Sequence, residues 1–454
     1  MAFNIGLSGL NAASTSLSVY GHNIANASTV GFKNSRTEFA DLYANALSDV
    51  SNTPGRGVRV ARIAQQYTQG IVENTGNTLD MAINGRGFFQ MKDSSDTVSY
   101  TRAGAFGMDR DGNIVNSSGN FLQGFSPLTT GQSINTTLFN NGATNKITVP
   151  QTSGAPAQTG NTYGAKINGA KINVNLNAAD VGIDSATFPF NPSDSTTFNH
   201  VTSISVYDSE GVSYPLTTYF VKDFVTPGLW HTYMTATDPG NAANVMPPAA
   251  VPPTGLPGPD LTFNQDGSLL SQSTPSFSMA GNFTNGTVAS GGGFGFGTLV
   301  AGAPTTYDDI IPLDFKDTTQ YGAAFAVNEV LQDGYSAGQL IGIDISKDGV
   351  VFSRYTNGSN KVLAQVAMAD FKNNQGLRQL GDTSWAESYE SGQVRLASPN
   401  SSGMGSVQSG AVENSNVDLA TQLVGLIIAQ RDYQASAQVI KTADQMTSVA
   451  LNLK

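Results

Sequence analysis

The chain has 454 residues, of which 39% are hydrophobic and only 13% charged, so it is long enough for several domains with sizeable cores. Its net charge is −11 and its 23 basic residues are scattered singly, which excludes the clustered Lys and Arg of a nucleic-acid-binding protein. Cysteine is absent, so disulfides and thiolate metal sites are excluded as well.

The other metal-ligating residue types form no recognisable site. His22, His200 and His231 lie far apart and none belongs to a ligand-spaced pair, so we expect no metal and no cofactor. The opening residues, MAFNIGLSGL, lack the basic and apolar regions of a cleaved secretory signal. Because no run of about 18 apolar residues occurs, we also expect no membrane insertion.

The N-terminal segment has the spacing of an amphipathic helix. Its apolar residues recur at the a and d positions of a heptad, with Ser14 and Gly21 in the gaps. These candidate assembly residues are Phe3, Leu7, Leu10, Leu17 and Ile24. Asn26 and Gly31 are suited to ending the helix and turning the chain, which predicts a helix of about 20 residues.

The same spacing returns near the C-terminus, with Gln430 at a skipped position. Ser415 and Asp418 form a capping-box pattern at its start, and a helix of about 35 residues is predicted. Its candidate assembly residues are Leu419, Leu423, Leu426, Tyr433, Ala437 and Ile440. One such stripe is typical of an ordinary helix on a globular core, whereas a stripe at each end of the chain favours a helical pair.

Between the two helices the sequence predicts β-structure. Residues 171–177, KINVNLN, alternate between apolar residues and asparagine, as expected for a strand with one buried face. Residues 79–89 are predicted to form a hairpin that turns at Asn84-Gly85. Residues 201–222 are predicted to form another hairpin, with its turn at residues 208–211.

Two segments in the middle of the chain have the composition of loops. Residues 238–260 are rich in proline, and residues 290–297 read SGGGFGFG. Both are expected to belong to an outer domain that tolerates change. The sequons at Asn282 and Asn285 are expected by chance in a chain rich in Asn and Thr.

The sequence gives no support to an enzymatic reading. It has no P-loop. Residues 109–113 lack the closing Glu of a calcium loop and fit a hairpin turn instead. Asp308 and Asp309 are adjacent, so in a strand they would point to opposite faces. We therefore expect no catalytic residues.

The terminal segments resemble the flagellar rod and hook family. Residues 8–33, SGLNAASTSLSVYGHNIANASTVGFK, resemble its N-terminal signature, and residues 409–446 resemble its C-terminal signature. The matching N-terminal residues are Asn23, Ile24, Ala25, Asn26, Thr29, Gly31, Phe32 and Lys33, although the family more often has Tyr at the Phe32 position. The matching C-terminal residues are Glu413, Ser415, Asn416, Val417, Asp418, Gln430, Arg431, Tyr433, Ala435, Lys441 and Thr442.

The resemblance implies an α+β fold that is mainly β. The terminal α-helices would pair as a coiled coil, with two β-rich domains inserted between them. The implied divisions are a terminal helical domain at 1–34 and 412–454, an extended connector at 35–75, an inner β-domain at 76–148 and 325–411, and an outer β-domain at 149–324.

The inserted outer β-domain favours a hook-type member of the family over a distal rod or other axial member, because the rod members are short. The resemblance then implies a homopolymer: a flexible tube that joins the rod to the filament and transmits torque. The implied partners are the rod protein, the hook cap, the hook-filament junction proteins and the flagellar type III export apparatus. This apparatus would deliver the chain to the extracellular hook without a cleaved signal peptide. The alternative from another class is a surface adhesin or glycan-active β-protein, which a folded monomer with no need for its termini would favour.

Overall fold

A computed structural model of the chain describes residues 2–42, 55–128, 138–151, 154–157, 159–160, 169–208, 210–238, 241–246, 256–273, 276–278 and 310–452. These residues are mainly β, with an α-helix near each end of the chain. Helix α1 spans Ala2–Ala25 and helix α2 spans Leu419–Asn452, so both predicted helices are present. In the described part of the chain, neither helix is long and apolar enough to cross a membrane.

The strands fall into three successive groups along the chain. The first group is β1 Ser35–Asp41, β2 Val58–Gln65, β3 Val72–Asn74, β4 Met81–Asn84, β5 Phe88–Lys92, β6 Val98–Thr101, β7 Gly107–Met108, β8 Ile114–Val115, β9 Phe121–Pro127 and β10 Phe139–Lys146. The second is β11 Ala170–Asn177, β12 His200–Tyr207, β13 Ser213–Lys222, β14 Leu229–Asp238, β15 Asn241–Met246, β16 Leu256–Pro257, β17 Leu261–Phe263, β18 Leu269–Gln272, β19 Ser276–Ser278, β20 Ile310–Asp314, β21 Thr319–Tyr321 and β22 Ala326–Gln332. The third is β23 Leu340–Ile345, β24 Val350–Tyr355, β25 Asn360–Val366, β26 Met368–Asp370, β27 Arg378–Gly381, β28 Ser384–Ala386, β29 Arg395–Ala397, β30 Ser406–Ser409 and β31 Ala411–Glu413.

The second group forms the outer β-region, in which two sheets share one core. One sheet has the order β19-β20-β11-β21 with β22 also paired to β11, and the other has the order β12-β13-β14-β17-β18. Strand β11 follows the predicted alternation, since Ile172, Val174 and Leu176 are fully buried in this core. Asn173 and Asn175 point to the other face but are also buried, and their amides donate to Glu329 Oε2 and to backbone carbonyls.

The predicted hairpin at residues 201–222 is confirmed. Strands β12 and β13 pair in antiparallel register from His200 opposite Phe220 to Tyr207 opposite Ser213. Asp208 closes the turn, because its Oδ1 accepts hydrogen bonds from the backbone N–H groups of Glu210 and Val212. The local turn chemistry is therefore sufficient to specify this pairing.

The first and third groups together form the inner β-region. Its main sheet has the order β23-β24-β25-β9-β5-β6-β28-β27. The core beneath it combines residues from both sides of the outer region, including Phe89, Leu122, Val366 and Val407. The inner region thus cannot be complete until the chain has passed through the outer region and returned.

The predicted hairpin at residues 79–89 is wrong. The chain does turn after Asn84, and Gly85 and Gly87 adopt positive φ angles of 113° and 123° there. However, β4 pairs with β30, whereas β5 pairs with β6, β9 and β26. The reason is burial: the whole of Met81–Ile83 is inaccessible to solvent, so β4 needs cover on both faces, which a two-stranded hairpin cannot supply.

The boundary between the two β-regions also differs from its predicted position. Residues 325–332 were assigned to the inner domain, but β22 pairs with β11 in the outer sheet, and Phe325 and Val330 pack against the outer core. The chain crosses between the regions where Ala157 and Tyr335 exchange backbone hydrogen bonds of 3.0 and 2.9 Å. The crossing therefore consists of two adjacent segments of the chain, one at Ala157 that enters the outer region and one at Tyr335 that leaves it.

The predicted extended connector at residues 35–75 is largely a paired ribbon. Strands β1 and β2 run antiparallel, from Ser35 opposite Gln65 to Asp41 opposite Val58, and β3 pairs with β31. Several sequence features lie outside the described residues, so no structural outcome applies to them. These are the glycine-rich segment 290–297, Asp308, Asp309, the sequons at Asn282 and Asn285, and much of 238–260.

We predict that the inner region folds without the outer one. Deleting residues 158–334 and joining Ala157 to Tyr335 through two glycines leaves the inner core residues intact, because these ends already lie side by side. Circular dichroism and calorimetry should show a β-rich protein with one cooperative unfolding transition. A shortened chain without a cooperative transition would contradict the prediction.

Candidate assembly surface and its buried junction

The two terminal helices pack against each other in opposite directions. A methyl group added at Gly6 or Gly9 of α1 would lie 2.8 Å from Ile440 or Ser436 of α2. At the other end, a methyl group added at Gly425 would lie 2.6 Å from the ring of Tyr20. At Gly6 and Gly425 the large side chains of Ile440 and Tyr20 therefore pack directly against the other helix.

This contact follows the predicted apolar stripes only in part, since Ile440 packs against Gly6. The side chains most buried on the helices are instead small or polar: Ala12, Ala13, Ser16, Val19, Asn23, Gln422 and Ala429. Of the residues predicted on α1, two are exposed, Phe3 and Leu7, and three are half-buried, Leu10, Leu17 and Ile24. Of those predicted on α2, three are exposed, Leu419, Leu423 and Tyr433, and three are half-buried, Leu426, Ala437 and Ile440. Five of the eleven stripe residues thus stay exposed in the single chain, and the role of the stripes in assembly stays a prediction.

A group of exposed apolar side chains begins α2, and we call it the α2 patch. Its members are 49–58% exposed: Leu419, Leu423, Val424, Ile427 and Ile428. They occupy two neighbouring rows of the helix at spacings of four residues, so they form one continuous surface. An exposed apolar surface of this kind is typical of a site that contacts another molecule.

Beneath the helices, a buried carboxylate joins segments that are distant in sequence. Glu413 Oε1 accepts hydrogen bonds from Lys33 Nζ at 2.5 Å and from the Gly70 backbone N–H at 2.8 Å. Its Oε2 accepts from an Arg102 guanidinium N–H at 3.1 Å. The Lys33 and Glu413 side chains are inaccessible to solvent, and that of Arg102 is nearly so.

The charges of this junction depend on one another. Burial lowers the pKa of both Lys33 and Arg102, and the Glu413 carboxylate opposes this shift by favouring the charged forms. Lys33 also donates to the Thr68 carbonyl at 2.7 Å, and Arg102 donates to the Gly85 carbonyl at 2.7 Å. The cations are thus held by one carboxylate and by backbone carbonyls rather than by water.

Two asparagines of the family signatures complete the junction. The Asn23 amide donates to the Ser35 carbonyl at 2.8 Å and to Gln422 Oε1 at 2.9 Å, so it links α1 to both β1 and α2. Asn416 Oδ1 accepts from the Asn34 backbone N–H at 2.8 Å, and its amide donates to the Gln66 carbonyl at 2.7 Å. Each side chain satisfies backbone groups where the chain leaves or enters a helix.

The turn after α1 requires glycine at one position. Gly31 has a φ angle of 71°, and a Cβ atom there would lie 2.3 Å from the backbone nitrogen of Ala103. Its N–H donates to the Glu413 carbonyl at 2.7 Å. Before it, Asn26 Oδ1 accepts from Thr29 Oγ1 at 3.1 Å and so closes the turn. Phe32 follows and is buried.

The remaining signature residues do not join this junction. Asp418 is the N-cap of α2, because its Oδ1 accepts from the Thr421 backbone N–H at 2.8 Å and this bond lowers the pKa of the carboxyl. Ser415 bonds Val417 instead, so the predicted Ser415–Asp418 capping box is wrong. Gln430 and Arg431 lie exposed on α2.

Sequence reasoning named Lys33 and Glu413 only as signature residues and missed Arg102 altogether. Their charge could have identified them as buried partners, because only 13% of the chain is charged and these residues lie within apolar or small-residue segments. Among the described residues, no group of His, Asp or Glu is arranged to hold a metal ion. The junction holds the chain together; it does not present reactive groups.

We predict that Glu413→Gln destabilises the inner region by about 3–5 kcal/mol, because it leaves two buried cations without their anion. Urea unfolding followed by Trp385 fluorescence in a Trp230→Phe background would measure the loss. Glu73→Gln is the matched control, since Glu73 is exposed on β3 directly opposite Val412 of β31 and should change stability by less than about 0.5 kcal/mol. Equal effects of the two substitutions would contradict the role of the junction.

Comparison with family models places four segments of the chain in flagellar families. Residues 3–33 match the flagella basal body rod protein model and residues 408–453 match the flagellar basal body rod FlgEFG protein C-terminal model. Residues 82–186 match the flagellar hook protein FlgE/F/G D1 domain, and residues 175–335 match the flagellar basal body protein FlaE D2 domain.

Full-length relatives agree with these matches. The chain is 36% identical to the flagellar hook protein FlgE of Salmonella typhimurium and 35% identical to that of Escherichia coli K12, with all of each chain covered. It is 31% identical to that of Borreliella burgdorferi, over 99% of this chain and 98% of the relative.

A solved structure supports the fold alone. The crystal structure of Helicobacter pylori flagellar hook protein FlgE2 is 14% identical and covers 75% of this chain and 100% of its own, with a TM-score of 0.50. The signatures, the two β-regions and the full-length similarity agree, and we conclude that the chain belongs to the flagellar hook protein family, a family of structural proteins rather than enzymes.

Proposed function

We propose that this structural subunit of the flagellar hook polymerises through its terminal helices. The α2 patch and the exposed apolar residues of α1 bind neighbouring copies, and the helices of the assembled polymer pair as a coiled coil. The observation that carries the proposal is the α2 patch, whose side chains are about half exposed in the single chain. Covering each of them in a neighbouring copy would contribute roughly 1 kcal/mol.

The helices and the β-regions have different surfaces, which suit them to different roles in the tube. Helices that contact neighbours along apolar rows resist twisting, which suits torque transmission. The β-regions have few charges and many small polar residues, so they can shift between packings of similar energy while the tube bends. Contacts between different faces of identical subunits do not close on themselves and therefore build a helical polymer.

We infer four divisions of the chain in this polymer. Residues 1–34 and 412–454 form the helical domain that lines the tube, and residues 35–75 connect it to the β-regions. The inner β-domain consists of residues 76–148 and 333–411, because β22 ends at residue 332. The outer β-domain is the part of the chain between these two ranges. The pairing of β22 with β11 supports the revised boundary.

The further partners rest on the family resemblance. They are the rod protein, the hook cap, the hook-filament junction proteins and the type III export apparatus, which would carry the chain outside without a cleaved signal. Relatives named as hook proteins favour this role over a distal rod protein or another axial protein. No observation favours a surface adhesin or glycan-active protein.

We predict that Leu423→Asp prevents polymerisation while the monomer folds normally. Leu423 is 50% exposed in the single chain, so its loss costs the monomer little, whereas a charge buried between subunits is strongly unfavourable. Electron microscopy after salting-out would detect tubes, and circular dichroism would check the fold. Gln434→Glu, which adds the same charge at an exposed polar position of α2, is the control. Normal tubes from Leu423→Asp would refute the assembly role of the α2 patch.

We also predict that the chain lacking residues 158–334 still forms tubes, with altered curvature or stiffness. The deletion leaves both helices and the junction unchanged, and these carry the proposed contacts. Imaging must be the readout, because a straight hook and an absent hook both abolish swimming. If the shortened chain folds but forms no tubes, the outer domain is required for assembly and not only for shape.

A further inference from the structure

His231 lies between two carboxylates in the outer β-region. From its position on β14, its Nδ1 is 2.8 Å from Asp260 Oδ1 and its Nε2 is 3.1 Å from Asp223 Oδ2. The three side chains are partly exposed, at 26% for His231, 21% for Asp223 and 46% for Asp260. The arrangement is therefore accessible to protons from solvent.

The chemistry of imidazole determines which form can make both contacts. A neutral ring has one N–H and one acceptor nitrogen, whereas an ionised carboxylate only accepts hydrogen bonds. Both bonds exist together only when the ring is the imidazolium cation. Partial burial opposes the charge, but the hydrogen bonds and charges of the two carboxylates outweigh it and raise the pKa of His231.

Other charged groups do not compete for this ring. From β13 the neighbour directly opposite is Val221, and from the end of β13 comes Asp223 itself. On β14 the next titratable side chain on the same face is Tyr233, and Asp260 precedes β17. Lys222 turns away and donates to the carbonyls of residues 178 and 180. The 182–184 segment also reaches this turn, since Ile183 forms a β-bridge with Asp223, and its Asp184 accepts hydrogen bonds from Ala186 and Thr187. The charged groups that act on the ring are Asp260 and Asp223.

The two carboxylates belong to different parts of the outer region. Asp223 begins the turn between β13 and β14, and its Oδ1 accepts from the backbone N–H groups of Val225 and Thr226 at 2.7 and 2.5 Å. This turn exposes two apolar side chains, Phe224 at 66% and Val225 at 82%. Asp260 leads into β17. The ring therefore ties the apolar tip of the turn to the sheet on the other side of β14.

We propose that His231 is a pH-sensitive latch on the outer β-region, which holds the 223–228 turn in place as the imidazolium and releases it on losing its proton. The neutral ring keeps one hydrogen bond and places a lone pair against the other carboxylate. Because a histidine with a raised folded-state pKa stabilises the fold fully below its ordinary pKa, this contribution is lost as the pH rises through the folded-state value. The position of Phe224 and Val225 then changes as the pH rises through the folded-state pKa of His231.

The first test reads the protonation state directly. The chain has three histidines, so selective nitrogen-15 labelling of the full-length monomer gives three ring systems, assigned by replacing each histidine with Gln. We expect the pKa of His231 to lie above the ordinary value for histidine, with both ring nitrogens protonated below it, and Asp260→Asn to lower this pKa while keeping the Asp223 cap of the turn. A pKa at or below the ordinary value for histidine, or one unchanged by Asp260→Asn, would overturn the proposal.

The second test asks whether the turn responds. Amide exchange protection of Val225 and Thr226 should fall as His231 loses its proton, by up to about tenfold for each pH unit by which its pKa is raised. His231→Gln should show low protection at every pH, and His22→Gln, far from this region, should behave as the parent. If His231 titrates while the protection of Val225 and Thr226 stays constant, the ring is charged but is not a latch.

Discussion

A single buried carboxylate, that of Glu413, fixes how the helical pair meets the β-regions. It binds Lys33, which follows α1, and Arg102, which belongs to the inner region, and it lies on β31, shortly before α2. The Lys33–Glu413 contact alone joins residues 380 positions apart. An unpaired charge is strongly unfavourable when it is buried this deeply. None of these three segments can therefore move away without leaving a buried charge without its partner. The junction is therefore a rigid base from which both helices project.

The helices joined to this base leave several of their large apolar residues exposed. Gly6 and Gly425 leave room for the side chains of Ile440 and Tyr20, which pack directly against the facing helix. Leu423, Ile427 and their neighbours remain on the outer surface. A monomer gains nothing from this arrangement, since exposed apolar area favours association. A subunit of a polymer needs it, because contacts used internally cannot also bind a neighbour.

Local chemistry explains which elements could be predicted from the sequence. The alternation of Ile172, Val174 and Leu176 and the Asp208 turn depend on residues close in the chain, and both predictions were confirmed. The partner of β4 could not be predicted, because Asn84-Gly85 gives the turn but the paired strand β30 lies some 300 residues away. Periodicity located both helices and one contact residue, Ile440, but it does not identify the glycines against which large side chains pack. Lys33 and Glu413 were recognised by resemblance, whereas the contact between them and the part played by Arg102 could be seen only in the folded structure.

The inner region is built from two separated parts of the chain, and this determines the order in which the chain can fold. Every stretch of the outer core falls between residues 170 and 330, so that core can form from one continuous piece of chain. The inner core instead requires Val407 to reach Met81 and Ile83, and the junction requires Glu413, which comes later still. Closing so long a loop is slow compared with local pairing. A chain that emerges with its N-terminus first therefore keeps its inner region incomplete and α1 unanchored until Glu413 has appeared, long after the outer core has all its residues.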